Sequence, residues 1–179
     1  TVPGVQYGMG LSTSWKNFEF NILFQGSGKC DFFIGGNGPH AFRNGQTGNI
    51  LQTMVDDNRW IPSEISGDVS TENPNANWPR LTWGNNDNNN QKSTFWLRDG
   101  RYIRLKNIEL RYNVPTTFTR KFFVSNMQIG FIGENLHTWS PFKLWDPENA
   151  TTDEKNSGVR SGNAYPINRT YSCYIKLSF

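Results

Sequence analysis

The last eleven residues of the chain, 169–179, constrain its fold more than any other stretch. From Tyr171 onward the side chains alternate without a break. Tyr171, Cys173, Ile175, Leu177 and Phe179 point one way, and Ser172, Tyr174, Lys176 and Ser178 point the other. The first set is wholly apolar or aromatic, and three of the four in the second are polar. That period belongs to a strand and not to a helix. At about 3.3 Å per residue and a tilt of about 45°, such a strand rises about 25 Å, the height of the apolar band of a membrane barrel. Strands of soluble sandwiches more often run about five or six residues. The pattern therefore predicts the closing strand of a transmembrane β-barrel, ending on its aromatic terminus.

Four earlier stretches repeat the pattern, and together they predict an all-β chain. Over residues 6–15, Tyr7, Met9, Leu11, Thr13 and Trp15 oppose Gly8, Gly10, Ser12 and Ser14. The two residues Lys16 and Asn17 turn the chain into 18–25, where Phe18, Phe20, Ile22 and Phe24 oppose Glu19, Asn21, Leu23 and Gln25. This is a hairpin with an aromatic outer face and a small or polar inner one. Further strands are expected over 101–113 and 126–134. The former sets Ile108, Leu110 and Tyr112 against Asn107, Glu109, Arg111 and Asn113. Against ~45–50% in ordinary globular proteins, a count that also includes Gly, hydrophobic residues make up 35% of the chain. An apolar surface confined to alternate strand positions accounts for that figure. No apolar run reaches the ~18 residues of a membrane-spanning helix.

The connections alternate in length. Residues 16–17 and 115–121 are short; 26–99 and 135–168 are long. In an up-and-down barrel the short ones are periplasmic turns and the long ones extracellular loops. A loop of seventy residues would count against a compact soluble domain but is expected on the outer side of a barrel. Within it, Ile50, Leu51, Met54 and Val55 predict a short helix over 47–56. Five strands cannot close a barrel, so the chain is expected to be one piece of a larger one, with an edge left to pair.

At Asp99-Gly100-Arg101-Tyr102-Ile103-Arg104-Leu105-Lys106-Asn107 the sequence resembles the SusC/RagA family of TonB-dependent outer-membrane transporters. Three further pieces follow in the family's order. They are Glu134-Asn135-Leu136, then Asp146-Pro147-Glu148, then Tyr165-Pro166 with Arg169-Thr170-Tyr171-Ser172 leading to Phe179. Arg59-Trp60 and Tyr7-Gly8 also fit. Cys173-Tyr174 departs from the family's usual aromatic and glycine, altering one lumen-facing side chain. The resemblance implies the last five strands of a barrel of about 22, whose plug domain is absent from this chain. It implies import of oligosaccharides or peptides under a SusD-like surface lipoprotein. It also implies energy from the TonB complex acting through an N-terminal part, insertion by the outer-membrane assembly machinery, and a setting in outer-membrane lipid. Phe179 would be read as the assembly signal.

Chemistry finds little purchase elsewhere. His40 and His137 are the two histidines, and no Cys/His spacing suggests a metal. Asp56-Asp57 and Asp87 lack the ligand spacing of a calcium loop. No cofactor or catalytic residue is expected, and the scattered Lys and Arg residues offer no nucleic-acid stripe. Cys30 and Cys173 read as two lone thiols. Asp146 and Glu148 around Pro147 read as turn architecture. Arg59, Trp60, Trp78, Arg80, Trp83 and Trp96 are candidates to stack on a ligand or touch a lid, against the alternative that they pack the long loop on itself. Glu109, Arg111, Gln128 and Lys176 are expected to form a polar lumen wall, with Tyr112, Tyr171 and Phe179 in an interfacial girdle. The rival from another class is a secreted all-β carbohydrate-binding module using exposed Trp residues.

Overall fold

The computed structural model describes residues 3–43, 49–56, 59–148, 158–162 and 164–179. In chain order its strands are β1 (Val5–Trp15), β2 (Phe18–Gly28), β3 (Asp31–Ile34), β4 (Leu97–Asp99), β5 (Tyr102–Val114), β6 (Asn126–Trp139), β7 (Val159–Arg160) and β8 (Thr170–Ser178). The helices are short: α1 (Gln52–Asp56), α2 (Ser63–Ser66) and α3 (Thr116–Thr119). The chain divides into two compact units. A sheet unit comprises residues 2–30, 99–148 and 166–179. A loop unit comprises 31–98 and 149–165.

The sheet unit is one antiparallel sheet in the order β1-β2-β5-β6-β8. Its register lines the apolar residues into rows across the strands. One row runs Trp15, Phe18, Tyr112, Ile129, Ile175, and the middle one Leu11, Ile22, Ile108, Gly133, Tyr171. Phe18 and Tyr112 touch with ring centroids 4.7 Å apart, the side-chain pairing that sets strand register. The β1–β2 hairpin turns at Lys16, which takes a left-handed conformation (φ 53°) and lays its ammonium over the Trp15 ring. Tyr7 covers the bare Gly26 opposite it and donates from its hydroxyl to the Tyr102 carbonyl at 2.9 Å. Nothing in the described residues covers the apolar face: Met9, Leu11, Ile175 and Leu177 stay exposed.

One irregularity decides which side chains face which way. On the β2–β5 pairing Leu23 stands opposite Asn107, yet Phe24 stands opposite Leu105, so Lys106 is an extra residue. A bulge reverses the facing of everything beyond it. Leu110 and Ile108 on one side of the bulge and Leu105 and Ile103 on the other therefore share the apolar face, although their spacing breaks phase. Arg104 turns to the polar face. Unbulged, Arg104 would share the face of Ile108, among the apolar rows. On β6 the matching shift falls at Asn135, which has φ 52°. β6 then continues to Trp139 beyond the Glu134 expected from the pattern.

The loop unit has its own small core. A three-stranded sheet, β4-β3-β7, puts Phe32 and Ile34 in the interior with Met54, Trp78 and Trp96. Here a loop expected to be patternless holds short strands and single helical turns, because seventy residues of backbone need partners once any of their side chains are buried. α1 begins at Gln52; residues 47 and 48 of the expected helix lie outside the described ones. The Glu72 carboxylate accepts from the Ser63 backbone N–H at 2.7 Å and from its hydroxyl at 2.6 Å. These bonds fasten α2 and hold the carboxyl below its usual range.

Candidate functional site

The polar face of the sheet is a connected hydrogen-bonded wall. Glu19 on β2 faces Arg111 on β5, and their side chains meet at 3.0 Å. Asn113 donates to the other Glu19 oxygen at 2.8 Å, and Gln128 donates to Asn113 at 2.8 Å. Asn21 donates to Glu109 at 3.1 Å, opposite it in register. Arg111 Nε lies 3.2 Å from Glu109 Oε1, an ion pair by distance whose N–H is not aimed for a hydrogen bond. Of the expected wall residues, Glu109, Arg111 and Gln128 sit in this net. Lys176 shares their face, beside Gln128 in register, and is exposed. Glu19, Asn21 and Asn113 complete it. The opposite charges of Glu19 and Arg111 could have identified them, once the register was known.

Tyr174 lies on the same face because Gly130 leaves room for it. A Cβ on Gly130 would fall 2.2 Å from two atoms of the Tyr174 ring. From there the phenol reaches Glu109 at 3.4 Å and Gln128 at 3.5 Å, long contacts that close the net. Gly130→Val should therefore destabilise the sheet by about 1–3 kcal/mol through overpacking. Tyr174→Gly in the same chain should recover most of it, as urea unfolding of the reconstituted protein would read. A Gly130→Val cost that Tyr174→Gly leaves unchanged would reject this packing.

At the end of the sheet where β5 begins, the bulge delivers Arg104 to a second cluster. Its guanidinium is 1% exposed, 2.5 Å from Asp146 and 3.5 Å from Glu148, with Lys106 3.9 Å from Glu148. Asp146 also accepts from the Glu148 backbone N–H at 2.9 Å, so it does close a turn around Pro147. The carboxylates thus have two roles, and the turn reading found only one. A cleft of about 250 Å³ opens beside them, lined by Thr138, Lys143, Trp145 and Arg169.

The loop candidates separate into two groups. Trp78 and Trp96 are buried, with centroids 6.4 Å apart, and the Trp96 indole N–H donates to the Asn89 carbonyl at 2.6 Å. These two pack the loop. Arg59 donates to the carbonyls of Met54 and Val55 at the end of α1, and Trp60 N–H bonds to the Trp78 carbonyl. Trp83 is 68% exposed over Phe42, and Arg80 is exposed. Of the six candidates these last two are the most exposed, while Arg59 and Trp60 are half-buried. Phe179, just beyond β8, is exposed. Asp57 and the Asp56 side chain lie outside the described residues. Among the described residues no group of three His, Cys, Asp or Glu is placed to hold a metal. Cys30 is buried, and Cys173 is exposed on the apolar face opposite Phe131.

His40 escaped the sequence reading. It is buried edge-on against Trp96, centroids 5.0 Å apart, and burial pushes its pKa down to about 4, with the Arg43 charge adding to the effect. The unfolded chain takes up this proton near pH 6.5, the folded one only near 4. His40's contribution is therefore complete above about pH 6.5 and is lost progressively as the pH falls through about 4. Hydrogen exchange of the loop unit, corrected for intrinsic rates, should accelerate from pH 7 to pH 4.5. His40→Gln should flatten that dependence.

No family model matches the sequence. Two curated proteins of Formosa agariphila do. TonB-dependent receptor P26 is 28% identical over 182 residues, covering 99% of this chain and 17% of the relative. TonB-dependent receptor P3 is 27% identical over 186 residues, covering 99% and 16%. Among solved structures, the RagAB peptide importer in its open-open state matches with a TM-score of 0.67 and 22% identity. In its closed-closed state it matches with 0.67 and 21%. Each covers 99% of this chain and 17% of the solved one. The chain thus spans about a sixth of the length of its relatives. The all-β fold and the likeness to TonB-dependent receptors hold along nearly all of it.

Proposed function

We propose, from the kinship of this chain with TonB-dependent receptors of the SusC/RagA type, that it forms a stretch of the wall and entrance of an outer-membrane importer. The observation that carries this reading is the two-faced sheet. One face is a band of apolar rows with nothing over it among the described residues, and the other is a net of carboxylate, guanidinium and amide groups. A lipid-facing outside beside a water-lined inside is the arrangement of a transmembrane barrel strand. On this reading β1, β2, β5, β6 and β8 cross the membrane. The short links after Trp15 and Val114 are periplasmic, and the loop unit lies outside the cell. The wall serves passage and holds no catalytic machinery.

The finer parts of the proposal rest on the family resemblance in the sequence, and the peptide cargo also on the likeness to the RagAB peptide importer. The cargo is an oligosaccharide or a peptide, captured with a SusD-like lipoprotein. The plug, the TonB complex and the assembly machinery act on the receptor as a whole, and Phe179 is the residue the last of these reads. A secreted carbohydrate-binding module would have to cover the apolar rows with a second layer, and the described residues supply none.

The test is single-cysteine labelling of the protein in cells, in a Cys30→Ala, Cys173→Ser background. A cysteine at Ser12 or Ser172 should react with a charged, water-soluble maleimide. One at Leu11 or Ile108 should react only with a membrane-permeant reagent. Equal labelling of both faces would defeat the barrel reading. Uptake of labelled oligosaccharide or peptide by cells with and without the receptor then selects between the two cargoes.

A further inference from the structure

The loop unit encloses a polar cavity of about 180 Å³ whose lining the import reading leaves unused. His40 forms part of it, 6% exposed, with neither ring nitrogen hydrogen-bonded among the described residues. A neutral imidazole carries one donor and one acceptor, and leaving both idle in the interior is costly. Gly35 packs against this ring and against Val159: a Cβ built there would stand in ordinary contact with His40 Cε1 at 3.4 Å but only 2.8 Å from Val159 Cγ1.

The rest of the lining carries charge. Arg43 and Lys92 border the cavity, and neither has an ion-pair partner among the described residues. The one acid there, Asp87, is already bonded by the Asn85 amide, which in turn accepts from Asn90 at 2.8 Å. Two cations against one satisfied carboxylate leave a net positive charge of about one, enough to balance a monoanion. Trp96 presents only its ring, since its N–H is taken by Asn89.

We propose that this cavity is a binding site for the carboxylate end of a small organic ligand, held by Arg43 and Lys92. The planar guanidinium fork matches a carboxylate, and the Lys92 ammonium adds a second charge of the same sign. The pocket has room for such an end and is open on one side, which leaves the remainder of the ligand to project outward. An acidic sugar and a peptide C-terminus share this chemistry. The site deepens the import reading by giving its cargo an acidic end, and it depends on that reading only for a meaning in transport.

Binding is tested on the full-length receptor in detergent by calorimetry, with glucuronate against glucose and triglycine against its C-terminal amide. The charged member of at least one pair should bind and its neutral counterpart should not. The tighter of glucuronate and triglycine identifies the source. Arg43→Gln and Lys92→Gln, both at exposed positions, should each weaken binding about tenfold. Several results overturn the site: no difference within either pair, wild-type affinity in both variants, or binding of inorganic phosphate alone. Uptake in cells is measured separately. Binding without uptake defeats the import reading and leaves the site standing; uptake without binding does the reverse.

Discussion

Asp146→Ala should cost the sheet unit about 3–5 kcal/mol, more than any other single change at the polar cluster. The reason is an asymmetry of burial. The Arg104 guanidinium is 1% exposed, whereas the Asp146 side chain is 15% and Glu148 28% exposed. Removing Asp146 strands a nearly buried cation, with only Glu148 at 3.5 Å to offset it. It also frees the Glu148 backbone N–H that closes the turn. Removing the cation is milder. Arg104→Met leaves two carboxylates that can turn outward, and about 1–3 kcal/mol is expected. Urea titration of the reconstituted protein would order the two variants. A smaller loss from Asp146→Ala than from Arg104→Met would reject this account. A combined Arg104→Met, Asp146→Leu, Glu148→Gln chain should regain most of the loss, because well-packed apolar groups replace a buried ion pair at little cost.

Ile108→Arg should be the most damaging substitution on the apolar face, at about 2–4 kcal/mol. Ile108 lies on the central strand and in the middle row, with Ile22 and Gly133 on either side. On the barrel reading that row sits near the bilayer midplane, where a guanidinium has neither water nor a partner. Ser172→Arg is the control. It lies on the opposite face in the row that contains Glu109, and its effect should stay within about 0.5 kcal/mol. Folding of both variants into lipid vesicles, followed by urea, gives the comparison. Equal costs on the two faces would mean that both meet the same solvent, and the membrane reading would fail.

Much of this was legible in the residues. Strict alternation after Tyr171 and in the first hairpin assigns each side chain to a face, because the period of a strand is two whatever surrounds it. The phase slip is also written there. Ile103 and Leu105 keep odd positions, Ile108 and Leu110 keep even ones, and the polar pair Lys106-Asn107 lies between them. A one-residue bulge is the way a strand keeps all four on one face. The tryptophans were less legible. Trp78 and Trp83 look alike in sequence, yet one is buried and the other exposed, since burial in a loop depends on what folds back over it.

What the chain determined by itself is local: strand periods, the bulge, the turn at Lys16 and the contrast between the two faces. Those follow from backbone geometry and from the preference of each side chain for water or for apolar surroundings. Only the tertiary structure decided that Arg104 meets a carboxylate 42 residues away, that Glu19 answers Arg111, and that His40 ends beside an open cavity. Those pairings depend on strand register and loop closure. Both are set by the sum of many weak contacts across the sheet and the loop core, and no single stretch of sequence contains that sum.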